Sequence, residues 1–278
     1  MAENNLELTD TLRKQYDAPM YEALLLVFGD NIHHAVFKSS ADSFADGSQR
    51  ANQLLAEASG LERGMQDLET ACGVGGAARY LARDFNVEVV ATNLSEGQLT
   101  IARQRTATDG LGHKVRFEYA DFTELPYADG EFDCYWCQDS WLYGEDKPRI
   151  IAEAFRVLAP GGRLVFSDIV VTSSADESPG RAFLDRIHAP AMWTATGYDT
   201  ALPLAGFLGI KREDWSRHLR PSLEMICEAI AAQKERMVEI AGIDEVEDTI
   251  QCFEAWRQGA RSGHLGHVFF CARKPALG

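Results

Sequence analysis

The chain has 278 residues, 46% of them hydrophobic and 25% charged; that is enough apolar material for one large α/β domain, or a core with an insertion, and it excludes a disordered chain. Its 27 basic and 42 acidic residues leave a net charge of −15, which repels nucleic acid and anionic lipid and suits a cationic or zwitterionic ligand or a salt-rich cell interior. No apolar signal core follows a basic start and no run of 18 apolar residues occurs, so the expectation is a cytoplasmic protein without a membrane partner.

In chain order, residues 9–27 read as helix on either side of Pro19. Residues 42–59 read as a second helix, with Ser40 or Asp42 as its cap and Gly60 and Gly64 breaking it. An alternation follows: strand 65–71, helix 76–85, strand 87–92, helix 95–108, strand 114–120, strand 132–137, helix 146–158 and strand 163–170. Short apolar runs such as "VEVVAT" alternating with helical segments predict βαβ units and a parallel sheet. The "PGG" at 160–162 reads as the turn before its strand. After residue 171 the rhythm stops. "TSSADESPG" is a loop, residues 181–198 are neither cleanly strand nor cleanly helix, 219–241 and 244–261 read as helices, and 267–274 as a late strand. No internal repeat is present. The six cysteines are scattered and read as free thiols. Cys134 and Cys137 form a CxxC inside a strand, where residues three apart point to opposite faces, so a buried strand is expected rather than a metal site.

The stretch "DLETACGVGGAARYLAR" carries the chemistry. Gly73-Val74-Gly75-Gly76-Ala77-Ala78 fits G-x-G-x-x-A between a predicted strand and a predicted helix, where backbone amides at a helix N-terminus can meet a ligand. Glu69 precedes the turn, and Ala71 stands where a glycine is expected. A pyrophosphate would meet Glu69 as a like charge. S-adenosylmethionine (SAM) has no phosphate and carries ammonium and sulfonium cations, so the carboxylate favours SAM. Asn93, about twenty residues beyond the loop, can hydrogen-bond a ribose diol. Asp121 can accept from an adenine amino group, with Phe122 beside the ring.

Together "DLETACGVGG", "ATNLSEGQ", "ADFTELPYADGEFD" and "AFRVLAPGGRLVFSD" resemble the class I SAM-dependent methyltransferases over roughly residues 65–171. The family usually has Asp-x-Gly where this chain has Glu69-Thr70-Ala71. "FGDNIHHAVF", "CQDSWLYGEDKPR" and "LDRIHAPAM" are similar to the sarcosine/dimethylglycine N-methyltransferases that make glycine betaine. The resemblance implies a Rossmann-like, seven-stranded sheet with an N-terminal helical lid and a C-terminal helical cap insertion. On this reading the single domain 1–278 divides into lid 1–60, SAM-binding core 61–171, acceptor cap 172–262 and final strand 263–278. It implies SAM contacts from Tyr16, Glu69, Ala71, Gly73, Gly75, Asn93, Leu94, Gln98, Asp121, Phe122 and Gln138, and no metal.

Methyl transfer needs a nucleophile about 3–3.5 Å from the methyl carbon and in line with the departing sulfur. An amine must be neutral to attack, so a base could help; His33, His188 and Asp139 are candidates. An N-methylated glycine carries a carboxylate, for which Arg186 is a candidate clamp; otherwise it pairs on a helix surface with Asp185 or Glu177. Aromatic faces stabilise a quaternary ammonium at roughly 0.5–2 kcal/mol each. Tyr21 and Trp141 lead that role, ahead of Trp193 and Tyr198. The expected activity is N-methylation of sarcosine and dimethylglycine by a monomer or homo-oligomer. The alternatives are a C- or O-methyltransferase of a natural product, an NAD(P)-linked oxidoreductase and a SAM sensor without turnover.

Overall fold

The computed structural model describes residues 19–172, 181–186, 189 and 192–277. The first described helix is α1, Pro19–Phe28. Helix α2, Phe44–Ser59, starts at a reciprocal cap: the Ser43 hydroxyl accepts from the Asp46 amide, and the Asp46 carboxylate accepts from the Ser43 amide at 3.0 Å. The expected caps one and three residues earlier are thereby corrected. Asp42 instead accepts from the amides of Lys38 and Ser39, at 2.6 and 3.0 Å. Gly60 ends α2 in the left-handed region, at φ 61°.

The alternating segment folds as β1 (Gln66–Thr70), α3 (Gly76–Asp84), β2 (Glu88–Asn93), α4 (Glu96–Thr108), β3 (Val115–Tyr119), β4 (Phe132–Gln138), α5 (Lys147–Val157) and β5 (Leu158–Val171). Ser95 caps α4 by accepting from the Gln98 amide, and Asp146 caps α5 by accepting from that of Arg149. The "PGG" turn lies inside a bulged β5, whose pairing with β4 slips between Phe132 and Cys134. Beyond it come α6 (Arg181–Arg186), α7 (Ala195–Leu204), β6 (Leu208–Asp214), α8 (Ser216–Ala241), α9 (Ile243–Arg261) and β7 (Leu265–Arg273).

The seven strands form one sheet in the order β3-β2-β1-β4-β5-β7-β6. The first five are parallel, and β7 runs antiparallel to both its neighbours. Strand order reverses across β1 and β4, so the crevice that binds ligands in open α/β sheets opens at their C-terminal ends. Cys134 and Trp136 pack into the apolar layer with Leu55, Leu81 and Leu99, whereas Tyr135 and Cys137 pack into the opposite layer with Ile150 and Phe166. A third cluster joins α1 to α8 and α9 through Met20, Leu24, Leu223, Ile226 and Trp256. Among the described residues no cluster could hold a metal ion, and no helix is long and apolar enough to cross a membrane.

Candidate active site

Beyond β1 the backbone enters the left-handed region at alternate residues: Ala71 at φ 55°, Gly73 at 55° and Gly75 at 75°. This explains why a glycine is expected at 71: an L-residue there is strained. The Cys72 amide donates to the Thr92 carbonyl and the Gly75 amide to the Cys72 carbonyl, each at 2.9 Å. Gly75 has no room for a Cβ, which would meet the Phe117 ring at 2.7 Å. It opens α3 without a side-chain cap.

Segment 30–34 lies across the loop. A Cβ on Gly76 would meet the Asp30 carbonyl oxygen at 2.3 Å, so only glycine permits the approach. Arg79, buried at 2% exposure, donates to the Val74 carbonyl at 2.7 Å and to the Asp30 carboxylate at 2.5 Å. Arg105 also pairs with Asp30.

Two adjoining cavities share Ile32, Ala71 and Gly73 as walls. The larger, about 100 Å³, is also lined by Asn93, Leu94, Gln98, Phe122 and Asp139, with Tyr21 and Tyr143. The smaller, about 30 Å³, takes in His33, Glu69 and Gln138. Around them are buried polar atoms with no protein partner: Glu69 Oε2, Gln98 Nε2, Gln138 Nε2 and His33 Nε2. Buried polar groups are ordinarily paired, so an acceptor, two amide donors and an imidazole nitrogen left unpaired on residues that line these cavities suit a small zwitterion. Burial, and then the nearby Asp67, push the Glu69 carboxyl well above the usual range. His33 Nδ1 lies 3.1 Å from the His34 carbonyl; a carbonyl only accepts, so Nδ1 carries the proton. Burial lowers the pKa of this ring, leaving it neutral with a lone pair on Nε2.

Asn93 ties the loop together, donating to Gln98 Oε1 at 2.8 Å and accepting from the Leu94 amide at 2.8 Å. Asp121 does not line the larger cavity; its neighbours Ala120 and Phe122 do. Its carboxylate accepts from the Thr123 amide and hydroxyl, at 2.8 and 2.7 Å.

Asp139, a candidate base by sequence, is engaged on several sides. At φ 47°, its carboxylate accepts from the His34 amide at 2.8 Å, the Ser167 hydroxyl at 2.6 Å and His267 Nε2 at 2.9 Å, with His34 Nδ1 at 3.1 Å. Burial alone would raise its pKa, but the His267 charge and these hydrogen bonds hold it well below the usual carboxylate range. A carboxylate so committed is a poor proton acceptor; it latches segment 30–34 to β5 and β7.

Trp141, expected at the acceptor, lies elsewhere. It is fully buried, its ring 4.2 Å from Phe166, so it offers no face to an acceptor. Tyr198 is also fully buried. Arg186 is exposed and donates to the Gln251 side chain at 3.1 Å, with no place on either cavity wall. Tyr16 and His188 lie outside the described residues. The sequence reading missed Ile32, His34, Tyr143 and His267. The first three stand inside stretches already singled out, beside residues that were chosen; no local signal marks His267.

A carboxylate-led glycine turn at the reversal point of a sheet with an antiparallel seventh strand defines a class of α/β enzyme that holds a nucleoside cofactor without needing a phosphate. Comparison with known proteins narrows it. Residues 68–166 match the family model described as a methyltransferase domain. The chain is 30% identical over 269 residues to a sarcosine/dimethylglycine N-methyltransferase of Halorhodospira halochloris, covering 95% of this chain and 96% of that one. It is 30% identical over 267 residues to the 27-O-demethylrifamycin SV methyltransferase of Amycolatopsis mediterranei (strain S699), covering 94% and 96%. Among solved structures, the [4+2]-cyclase SpnF superposes with a TM-score of 0.84 at 28% identity, covering 96% of each chain. The chain belongs to the SAM-dependent methyltransferases. Its cofactor is SAM, and the dinucleotide alternative falls.

Proposed function

We propose that this enzyme methylates the nitrogen of a small amine, with sarcosine and dimethylglycine as the first candidates and glycine betaine as the product. The observation that carries this reading is the lining of the larger cavity. The aromatic residues Tyr21, Phe122 and Tyr143 stand beside an ionised Asp139, and no Lys or Arg lines it among the described residues. Such a wall favours a substrate that becomes a cation.

When bound, SAM supplies an electrophilic methyl group. In this reading Glu69 receives its cationic end, with Gln138 and the loop at Ala71 and Gly73, shaped by Gly75, alongside. Gln98, Asn93 and Leu94 take the ribose, and Phe122 lies against the base. Asp121 acts at one remove, by closing the turn that carries Phe122. Tyr21 and Tyr143 hold the acceptor, and His33 Nε2, on a residue of the adjoining smaller cavity, is the candidate to take its proton.

Arg186 supports a second reading. With that side chain engaged by Gln251, no described cation meets an acceptor carboxylate, and a hydroxyl-bearing or carbon acceptor of natural-product type then fits as well. One experiment separates the two. SAM consumption is measured against glycine, sarcosine, dimethylglycine, phosphoethanolamine and several phenols, with the product identified by mass. Conversion of dimethylglycine to a trimethylated product supports the first reading. Turnover confined to phenols removes it.

A further inference from the structure

We propose that Lys147, acting with Asp168, is a positioning residue for the acceptor side of the cavity, because the two side chains clamp the turn that presents Ser140 and Tyr143. This rests on the reading that Tyr143 faces the acceptor.

The turn is a single 3₁₀ segment, Trp141–Tyr143, and Ser140 and Tyr143 both line the larger cavity. Its own backbone bonds run from the Tyr143 amide to the Ser140 carbonyl at 3.2 Å and from the Gly144 amide to the Trp141 carbonyl at 2.9 Å. Lys147, in the first turn of α5, is fully buried. Its ammonium donates to the Gly144 carbonyl and reaches the Leu142 carbonyl at 3.5 Å. Asp168 works from the opposite side: it accepts from the Leu142 amide at 3.1 Å and from the Tyr198 hydroxyl at 2.5 Å. The turn is thus gripped at its carbonyls by a cation and at an amide by an anion. Gly144 completes the grip. A Cβ there would meet Ile150 at 2.4 Å and the Phe122 ring at 3.0 Å, so the turn also supports an aromatic residue of the cavity.

Burying an ammonium is costly unless fixed acceptors and an opposite charge compensate it. A site needed only for packing would be filled more cheaply by an apolar side chain. Burial pulls the Lys147 pKa down to about 8, against the attraction of Asp168 and Glu145. Burial pushes that of Asp168 up to about 7, against the attraction of Lys147. The pair therefore holds the turn under an electrostatic cost, consistent with a role in geometry.

The test uses Lys147→Met in the enzyme saturated with S-adenosylhomocysteine. Amide exchange at residues 142–144 should quicken at least tenfold while that of 72–76 stays within twofold. With the best acceptor from the panel, acceptor KM should rise at least tenfold, kcat should change less than threefold and SAM affinity should hold within twofold. If Lys147→Met does not fold, Asp168→Asn tests the other half of the clamp and should shift the same amides in the same direction. Unchanged exchange at 142–144, or equal loosening of the glycine loop, overturns the proposal. Absence of turnover with every amine would remove the amine reading and still leave the exchange result decisive.

Discussion

Ala71 makes a departure from the family pattern legible in energy terms. Its φ of 55° costs an L-residue about 1–2 kcal/mol, whereas glycine costs about 0.5–1 kcal/mol in chain entropy. Ala71→Gly should therefore stabilise the fold, raising Tm by about 1–3 °C in a thermal scan. At Glu69 the prediction concerns protons. Burial and the neighbouring Asp67 push its carboxyl well above the usual range, and a cation bound beside it would pull that value back down. SAM binding should release a proton, and calorimetric enthalpies should differ between phosphate and Tris. Affinity should fall as pH drops, because the departing proton is then harder to lose. Glu69→Gln should abolish the buffer dependence and weaken binding by about 1.5–3 kcal/mol, the worth of a hydrogen bond to a charged group.

At the scale of elements, the backbone of segment 30–34 reaches the start of α3 because Gly76 has no side chain, and the Arg79–Asp30 pair ties the two together. Gly76→Ala should displace that segment, carry His33 away from the smaller cavity and weaken SAM binding about tenfold or more by calorimetry, with the far-UV spectrum unchanged. Strand β1 carries a second liability in Asp67, fully buried, whose pKa burial raises from 3.8 to about 7. The raised value means that its contribution to stability is complete below about pH 4 and is lost as pH rises through 7, at up to about 1.4 kcal/mol per pH unit. Asp67→Asn should raise Tm at pH 8, with the gain shrinking towards pH 4.

Strands β2, β4 and β5 were readable because burial on both faces favours apolar runs, and the glycine turn because its left-handed residues restrict composition. Strand β6 was not. "LGIKRED" is an exposed edge with no apolar alternation, and only its register against β7 defines it. Helix α7 was obscured by its mixed composition and by Pro203 near its end. At the site, residue type and position pointed to Glu69, and the family resemblance to Gln98 and Gln138. They could not show that Trp141 turns inward while Tyr143, two residues on, faces the cavity. Nor could they show that His267 reaches Asp139 across 128 positions of sequence.

For the whole molecule, a net charge of −15 means self-repulsion in dilute buffer. Raising ionic strength from about 0.01 M to about 1 M shortens the screening length from about 30 Å to about 3 Å. Tm should rise by several degrees over that range, with sodium chloride and potassium chloride acting alike; a flat or falling Tm would show that the acidic groups are already balanced locally. The alternate facing of the CYWC strand has a consequence of its own. Cys134 and Cys137 are sealed under different layers of the sheet, while Cys227 and Cys252 sit half-covered on the two long C-terminal helices. An alkylating reagent followed by mass spectrometry would then read two clocks in one sample: a fast one for breathing of the helical end, and a slow one that runs only when both shells have come off the sheet.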